Sequence, residues 1–231
     1  MNDSRRAFFW QSCVAKSAGL LCASGRVHAA EEGTVLSGPS PSEYLMRQHG
    51  IVHRLALLFE TVAERAQEGK RIEPAFLQTR GLVHDFTEDY HEELEENYIF
   101  PLFTGGGPLE EMVSVLRMQH SMGHTLAQRA YRIAEKGPDL DEDERRKLAS
   151  GCRSYSRMYR AHAAFEDTQM WPALRETVSP SKYEDITEAF ARMAEERLGD
   201  EGFSGAVEQM AEIEQKLGID GLSDFTPGEL P

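Results

Sequence analysis

The sequence of 231 residues has no uninterrupted apolar run of about 18 residues, the length that a helix needs to cross a lipid bilayer. This absence excludes a bundle of membrane-spanning helices. Basic residues are also few, since 25 lysines and arginines stand against 39 aspartates and glutamates, for a formal net charge of −14. That charge would repel nucleic acid and anionic lipid surfaces, so we expect neither as a partner. No glycine-rich phosphate loop, catalytic nucleophile or nicotinamide-binding pattern is recognisable, which favours a binding protein over an enzyme.

Cysteine is scarce, and of the three cysteines only Cys152 lies outside the first 29 residues. Those residues begin with paired arginines ahead of Phe8, continue through a mildly apolar stretch and end on small residues at Ala29. The arginine pair followed by phenylalanine resembles a twin-arginine export signal. We therefore predict that residues 1–29 are a signal peptide, that the protein is periplasmic or exported, and that its one remaining thiol forms no internal disulfide. A frayed basic N-terminus or an organelle presequence is the alternative interpretation.

Strand signals are missing as well, because no alternating run rich in valine and isoleucine occurs. From residue 42 onwards apolar residues recur at three- and four-residue steps among strong helix formers, which indicates helices. Proline and glycine punctuate this pattern, which predicts four long helices over about 42–68, 74–101, 109–137 and 141–177, then two shorter ones within 180–217. We therefore predict an all-α fold with a linker over 30–41, an up-down-up-down four-helix bundle over 42–178, and a C-terminal helical extension and tail over 179–231.

An internal repeat links the two halves of this bundle. Scarce residues recur at an offset of 71 positions, in the pairs His49/His120, His53/His124, His91/His162 and Glu95/Glu166. Gln48/Gln119 and Pro101/Pro172 share this offset. The repeat predicts two helical hairpins, residues 41–105 and 112–176, related by a pseudo-twofold axis.

The repeated polar residues are spaced four apart, so each pair shares one helix face. Because that face also carries the apolar stripe, these side chains should point into the bundle. Histidines early in the first and third helices lie at the same level of the bundle as glutamates late in the antiparallel second and fourth helices. All eight side chains can therefore converge on one place in the bundle interior. Buried imidazoles and carboxylates without partners are costly, and a metal cation would remove that cost. A single His/Glu pair of this spacing is more often a surface ion pair, but four inward pairs at equal heights predict a site for two metals.

Other residues on these helices have simpler interpretations. The methionine and aromatic stripes, with Met46 and Met118 among them, are predicted to be core. His84 falls outside the repeated set and is not predicted to be a ligand.

The segments that begin at His91 and His162 carry a specific motif. Each reads His-x-x-x-Glu and reaches an aromatic–proline pair five residues later. Together with the Gln-His pairs at residues 48–49 and 119–120, the motif resembles the signature of the hemerythrin-like, or HHE cation-binding, family over about residues 42–176. The resemblance implies a four-helix bundle around a non-haem di-iron centre, with two Fe ions joined by an oxo or hydroxo bridge. The metal ligands it implies are His49, His91, His120 and His162, with Glu95 and Glu166 as bridges. Oxygen-carrying members have a further third-helix ligand, which matches His124.

His53 departs from the family pattern. It repeats His124 by symmetry, so we include both as candidate ligands. If both bind, about six positions on each iron are filled and none is left for O2, which predicts reduced or absent O2 binding. The alternative is that His53 or His124 lies outside the coordination sphere and hydrogen-bonds to a bridging ligand.

Three functions remain open at this point. The leading one is a di-iron protein that binds or senses O2, another small diatomic molecule or peroxide. The second is a di-iron redox enzyme or iron donor that acts under peroxide or nitric oxide stress. The third is a zinc-loaded or metal-free bundle that docks a partner through residues 178–231.

Overall fold

The computed structural model describes residues 39–72 and 74–228, and all regular structure within these ranges is helical. The all-α fold class is confirmed. The predicted signal peptide and most of the predicted linker lie outside the described residues. No helix in the described ranges is long and apolar enough to span a membrane.

Four helical rods form the bundle. The first is α1 (Pro41–Gln67). The second begins as α2 (Ala75–Gly81), continues in π-helical turns over Leu82–Glu92 and Glu95–Ile99, and ends in a 3-10 turn, Phe100–Phe103. The third is α3 (Glu110–Ala134), and the fourth runs from α4 (Glu142–Phe165) through π-helical Glu166–Met170 into α5 (Trp171–Thr177). Two further helices follow, α6 (Pro180–Leu198) and α7 (Gly202–Leu217), with short 3-10 turns at Gly199–Glu201 and Leu222–Phe225.

Local side chains account for the starts of two rods. The Ser40 hydroxyl accepts from the backbone N–H of Glu43, while the Glu43 carboxylate accepts from the N–H of Ser40. Asp141 and Glu144 make the same reciprocal arrangement at the start of α4. These capping boxes satisfy N–H groups that a helix start leaves without partners. Shortly after α1, Gly69 has a φ of 70°, a conformation that glycine adopts without strain.

The second and fourth rods differ from the uninterrupted α-helices that the sequence predicts. π-Helical turns occupy Glu95–Ile99 and Glu166–Met170, at equal places in the repeat. In these turns the N–H groups of Phe100 and Trp171 donate to carbonyls five residues back. A proline follows each aromatic residue, and a proline ring clashes with the carbonyl four residues before it in a regular α-helix. We attribute the wider turn to relief of that clash, and such turns are frequent at functional sites.

Aromatic side chains fill one part of the bundle core. Phe59 stacks on Tyr155 with ring centroids 3.9 Å apart, and Phe76 and Tyr131 pack around this pair. Helices α6 and α7 contribute buried apolar side chains to the same core and pack on the bundle. The C-terminal extension therefore shares the interior of the four-helix bundle.

Met46 and Met118 are not core residues, contrary to the sequence prediction. Their exposed fractions are 47% and 60%. Each shares its helix face with an exposed residue four positions on, Gly50 or Met122, because residues four apart lie on one side of a helix. His84 is exposed too.

Candidate metal centre

Six of the eight candidate ligands meet inside the bundle. They come from all four rods and are all buried: His49, His91, Glu95, His120, His162 and Glu166. Their imidazoles form two pairs, His49 with His91 and His120 with His162, at ring-centroid distances of 5.0 and 4.9 Å. Each pair comes from one of the two hairpins that the repeat predicts.

The two carboxylates lie between the imidazole pairs. Glu95 Oε1 is 3.4 Å from His91 Nε2, and its Oε2 is 3.4 Å from His120 Nε2. Glu166 Oε2 is 3.3 Å from His49 Nε2 and 3.2 Å from His162 Nε2. Each carboxylate therefore contacts imidazoles of both hairpins, which is the arrangement that a bridging ligand needs.

Five polar atoms of this cluster are buried without a hydrogen-bond partner among the described residues. They are His49 Nε2 and both carboxylate oxygens of Glu95 and of Glu166. Buried polar groups are normally hydrogen-bonded, and leaving one unsatisfied costs about 1–3 kcal/mol, more where it is charged. Neutral imidazole nitrogens and carboxylate oxygens are metal donors, so cations placed between them would satisfy all five. The cluster fits a metal site.

A second set of side chains orients the imidazoles. His49 Nδ1 donates to Asp167 at 2.8 Å, and at the repeat-related position His120 Nδ1 donates to Glu96 at 2.7 Å. His91 Nδ1 and His162 Nδ1 donate to the amide oxygens of Gln48 and Gln119, at 2.9 and 3.0 Å. All four partners are acceptors, so Nδ1 of each imidazole carries a proton, and an imidazole that loses its second proton presents the lone pair of Nε2 to the centre. Such partners fix the tautomer and orientation of metal-ligating histidines.

Sequence reasoning missed the roles of these partners. Gln48 and Gln119 were visible in the repeat, but their hydrogen bonds were not inferred. Glu96 and Asp167 directly follow the two bridging candidates at the same offset of 71 positions. An acidic residue repeated in that position was the signal that could have identified them.

The ionised carboxylates draw positive charge into the cluster. Burial lowers the pKa of His49, but the neighbouring carboxylates outweigh burial and hold this pKa well above its usual value. His120 behaves in the same way, with a pKa of about 10. Burial lowers the pKa of His91 to about 4, so this imidazole is neutral. Burial raises the pKa of Glu95, but interaction with the imidazoles of His120 and His49 outweighs burial and holds this pKa well below its usual range. Protons on imidazoles thus offset the two buried carboxylates, and bound cations would replace those protons.

The structure does not bring His53 and His124 into the cluster. His124 Nε2 donates to Glu92 at 2.6 Å, and this hydrogen bond raises the pKa of His124. His53 is half-buried, makes no hydrogen bond with the described residues, and has its ring centroid 6.5 Å from that of His49. The two residues are equivalent in the repeat but differ in their surroundings.

The chain is similar to proteins of one family. It matches the family model described as the hemerythrin HHE cation binding domain over residues 40–174. Its relatives include a protein of Mycobacterium bovis and a protein of Mycobacterium tuberculosis, both described as uncharacterized. Each is 38% identical over 186 residues, which is 80% of this chain and 73% of the relative. No solved structure gives a significant match to the chain.

Proposed function

The chain belongs to the hemerythrin HHE cation binding family, and from this premise we propose that it is a non-haem di-iron protein that binds or senses O2 or a related small molecule. The observation that carries the proposal is the set of five buried donor atoms without hydrogen-bond partners, on His49, Glu95 and Glu166. Two ions are favoured over one because each carboxylate contacts imidazoles of both hairpins.

The donor set favours iron over zinc. It combines four imidazoles with two shared carboxylates, whereas structural zinc sites are tetrahedral and rich in cysteine. Cys152 is the only cysteine among the described residues, and it belongs to the apolar core. Bound iron would supply one-electron redox chemistry and a coordination position for a small ligand.

Side chains of this protein orient the imidazoles and exclude water from them. Phe100 stacks on the His120 ring at a centroid distance of 5.6 Å. Trp171 lies 6.0 Å from the His49 ring, and its indole N–H donates to Asp167 at 3.1 Å. The carboxylate that holds His49 is therefore itself held by a buried tryptophan. These aromatic side chains belong to the aromatic–proline pairs of the sequence motif and keep the centre dry.

The test is metal analysis together with an optical spectrum, recorded before and after O2 is added to the reduced protein. We expect two irons per chain and an absorption band that appears only with O2. Glu95→Ala and Glu166→Ala should lose iron because each removes a shared ligand, while the exposed His84→Ala variant should keep it. Two zinc ions per chain, or no metal, would contradict the iron assignment. Iron without a response to O2, but with turnover of peroxide or nitric oxide, would favour the enzymatic alternative.

We also propose that the protein is exported through the twin-arginine signal of residues 1–29, which makes it periplasmic in a cell with an outer membrane. The support is the arginine pair, the apolar stretch and the small residues at Ala29. N-terminal sequencing of the mature protein should begin at Ala30. A mature protein that keeps Met1 would contradict this proposal.

A further inference from the structure

The C-terminal extension packs on the first of the two repeated hairpins. The Phe190 ring of α6 lies 5.8 Å from the Tyr44 ring of α1, and the guanidinium carbon of Arg47 lies 4.9 Å from the centre of the Phe203 ring of α7. Ile51, one turn after Arg47 on the same face of α1, is buried. Helices α6 and α7 therefore cover apolar surface that the first hairpin would otherwise expose.

The equivalent face of the second hairpin is uncovered. The residues 71 positions after Tyr44, Arg47 and Ile51 are apolar and have exposed fractions of 41%, 60% and 48%: Val115, Met118 and Met122. On the fourth rod Phe165 is 55% exposed, whereas its equivalent in the second rod, Leu94, is fully buried. We call these four exposed residues the α3–α4 face. A contiguous exposed apolar face of this kind marks a surface where another molecule binds.

The α3–α4 face also carries little charge. Within residues 112–122 and 161–169 the other exposed residues are serine, alanine, threonine and glutamine, and the half-buried Arg117 is paired with Glu96 at 2.6 Å. Two copies of a chain with a net charge of −14 repel each other at long range. A face without exposed acidic residues lets two copies approach with the least repulsion, and it offers no charged group that would select a basic or an acidic partner. Its chemistry therefore favours a second copy of this chain.

The size and shape of the α3–α4 face suit such a contact. Helices α3 and α4 have 25 and 24 residues and pack side by side. Each is about 36 Å long and 10–12 Å wide, so together they present roughly 700–850 Å², close to the area that each partner buries in a stable interface. A cleft of about 400 Å³ between them has Met112, Leu116 and Phe165 in its walls and can receive a protruding side chain of the other copy. Twofold symmetry makes that insertion mutual.

We propose that the protein forms a symmetric dimer in which the α3–α4 faces of two copies pack against each other. The helices of the second copy then cover the second hairpin as α6 and α7 cover the first. Methionine and phenylalanine are enriched in the cores of protein interfaces, and the flexible methionine side chain adapts to the surface that it meets. The proposal uses none of the candidate metal ligands, so it is independent of the iron assignment.

Sedimentation velocity of the full-length protein over a wide range of concentrations tests this assembly. We expect a dimer whose population rises with concentration. Met118→Glu and Phe165→Glu each place two unpaired charges in the interface, because symmetry repeats every substitution, and each should weaken dimerisation about 100-fold or more. Leu222→Glu is the matched control, because Leu222 is 88% exposed and belongs to the 3-10 turn after α7. This variant should dimerise as the unmodified protein does.

Three results would overturn the proposal. A monomer at every concentration would leave the α3–α4 face to a different protein. A dimer that is unchanged in both Met118→Glu and Phe165→Glu would show that the copies associate through another surface. Equal weakening in Leu222→Glu would show that any added negative charge opposes association. Circular dichroism checks that each variant keeps its helices, and if Phe165→Glu does not fold, the more exposed Met118→Glu decides the question by itself.

Discussion

Replacing Gly123 with alanine tests the packing around the Tyr159 hydroxyl. A β-carbon at this position of α3 would lie 2.1 Å from the hydroxyl oxygen and 2.7 Å from the ring. Tyr159 has little room to move, since it is buried, packs on Tyr155 at 4.5 Å and donates to Glu92. The higher helix propensity of alanine stabilises by about 1 kcal/mol. Overpacking costs about 1–3 kcal/mol, and losing a hydrogen bond to a carboxylate costs about 1.5–3 kcal/mol.

The destabilising contributions exceed the gain in helix propensity, so we expect Gly123→Ala to lower the free energy of unfolding by about 2 kcal/mol or more. For a protein of this size, that corresponds to a fall in Tm of about 4–8 °C. The assay is urea unfolding of metal-free protein followed by circular dichroism, so that metal affinity does not contribute. Equal or greater stability than the unmodified protein would refute the packing argument.

Gly151→Ala is the matched control. Gly151 lies within α4, and nothing is within 4 Å of a β-carbon added there, so we expect a gain of about 0.5–1 kcal/mol. Combining Gly123→Ala with Tyr159→Phe removes the closest clash, and the double variant should lose less than the sum of the two single losses. If the loss of stability in the double variant equals the sum of the two single losses, the Tyr159 hydroxyl is not the group that clashes with the added methyl.

Three further predictions concern the orienting residues, the extension and the core. Gln119→Leu removes the acceptor for His162 Nδ1 and should weaken iron binding about 10–100-fold, measured by competition with a chelator; unchanged affinity would contradict its orienting role. Arg54→Ala breaks two hydrogen bonds to Glu214 on α7, and amide hydrogen exchange of α7 should become faster while that of α3 stays the same. Burial raises the pKa of the Cys152 thiol, so alkylation at neutral pH should be slow in the folded protein and complete in denaturant; fast labelling of the folded protein would mean that this core opens.

Much of the fold follows from local sequence signals. The apolar period and the glycine and proline breaks predict the rods to within a few residues. The π-helical turns were not predicted, because helical periodicity does not distinguish an α-helical turn from a wider one. Met46 and Met118 were predicted to be core but are exposed. A residue beside the apolar stripe is exposed to solvent when no neighbouring rod covers it.

The convergence of six side chains follows from the repeat. Two hairpins with the same spacing of histidine and glutamate must bring equivalent residues to the same level of the bundle. The partners of the histidine Nδ1 atoms are less accessible to sequence reasoning. Gln48 is adjacent in sequence to His49 but bonds to His91, 43 residues away in the chain. That choice depends on how the first two rods pack.

The sequence by itself determined which residues could be ligands and that they would lie in two equivalent sets, because duplicated spacing on helices imposes equivalent faces and heights. Only the tertiary structure decided that His53 and His124 differ. Their sequence neighbours cannot separate them, since both are one turn beyond a clustered histidine. The difference comes from Glu92, 32 residues before His124, whose carboxylate accepts a hydrogen bond from the His124 imidazole. His53 has no equivalent partner among the described residues.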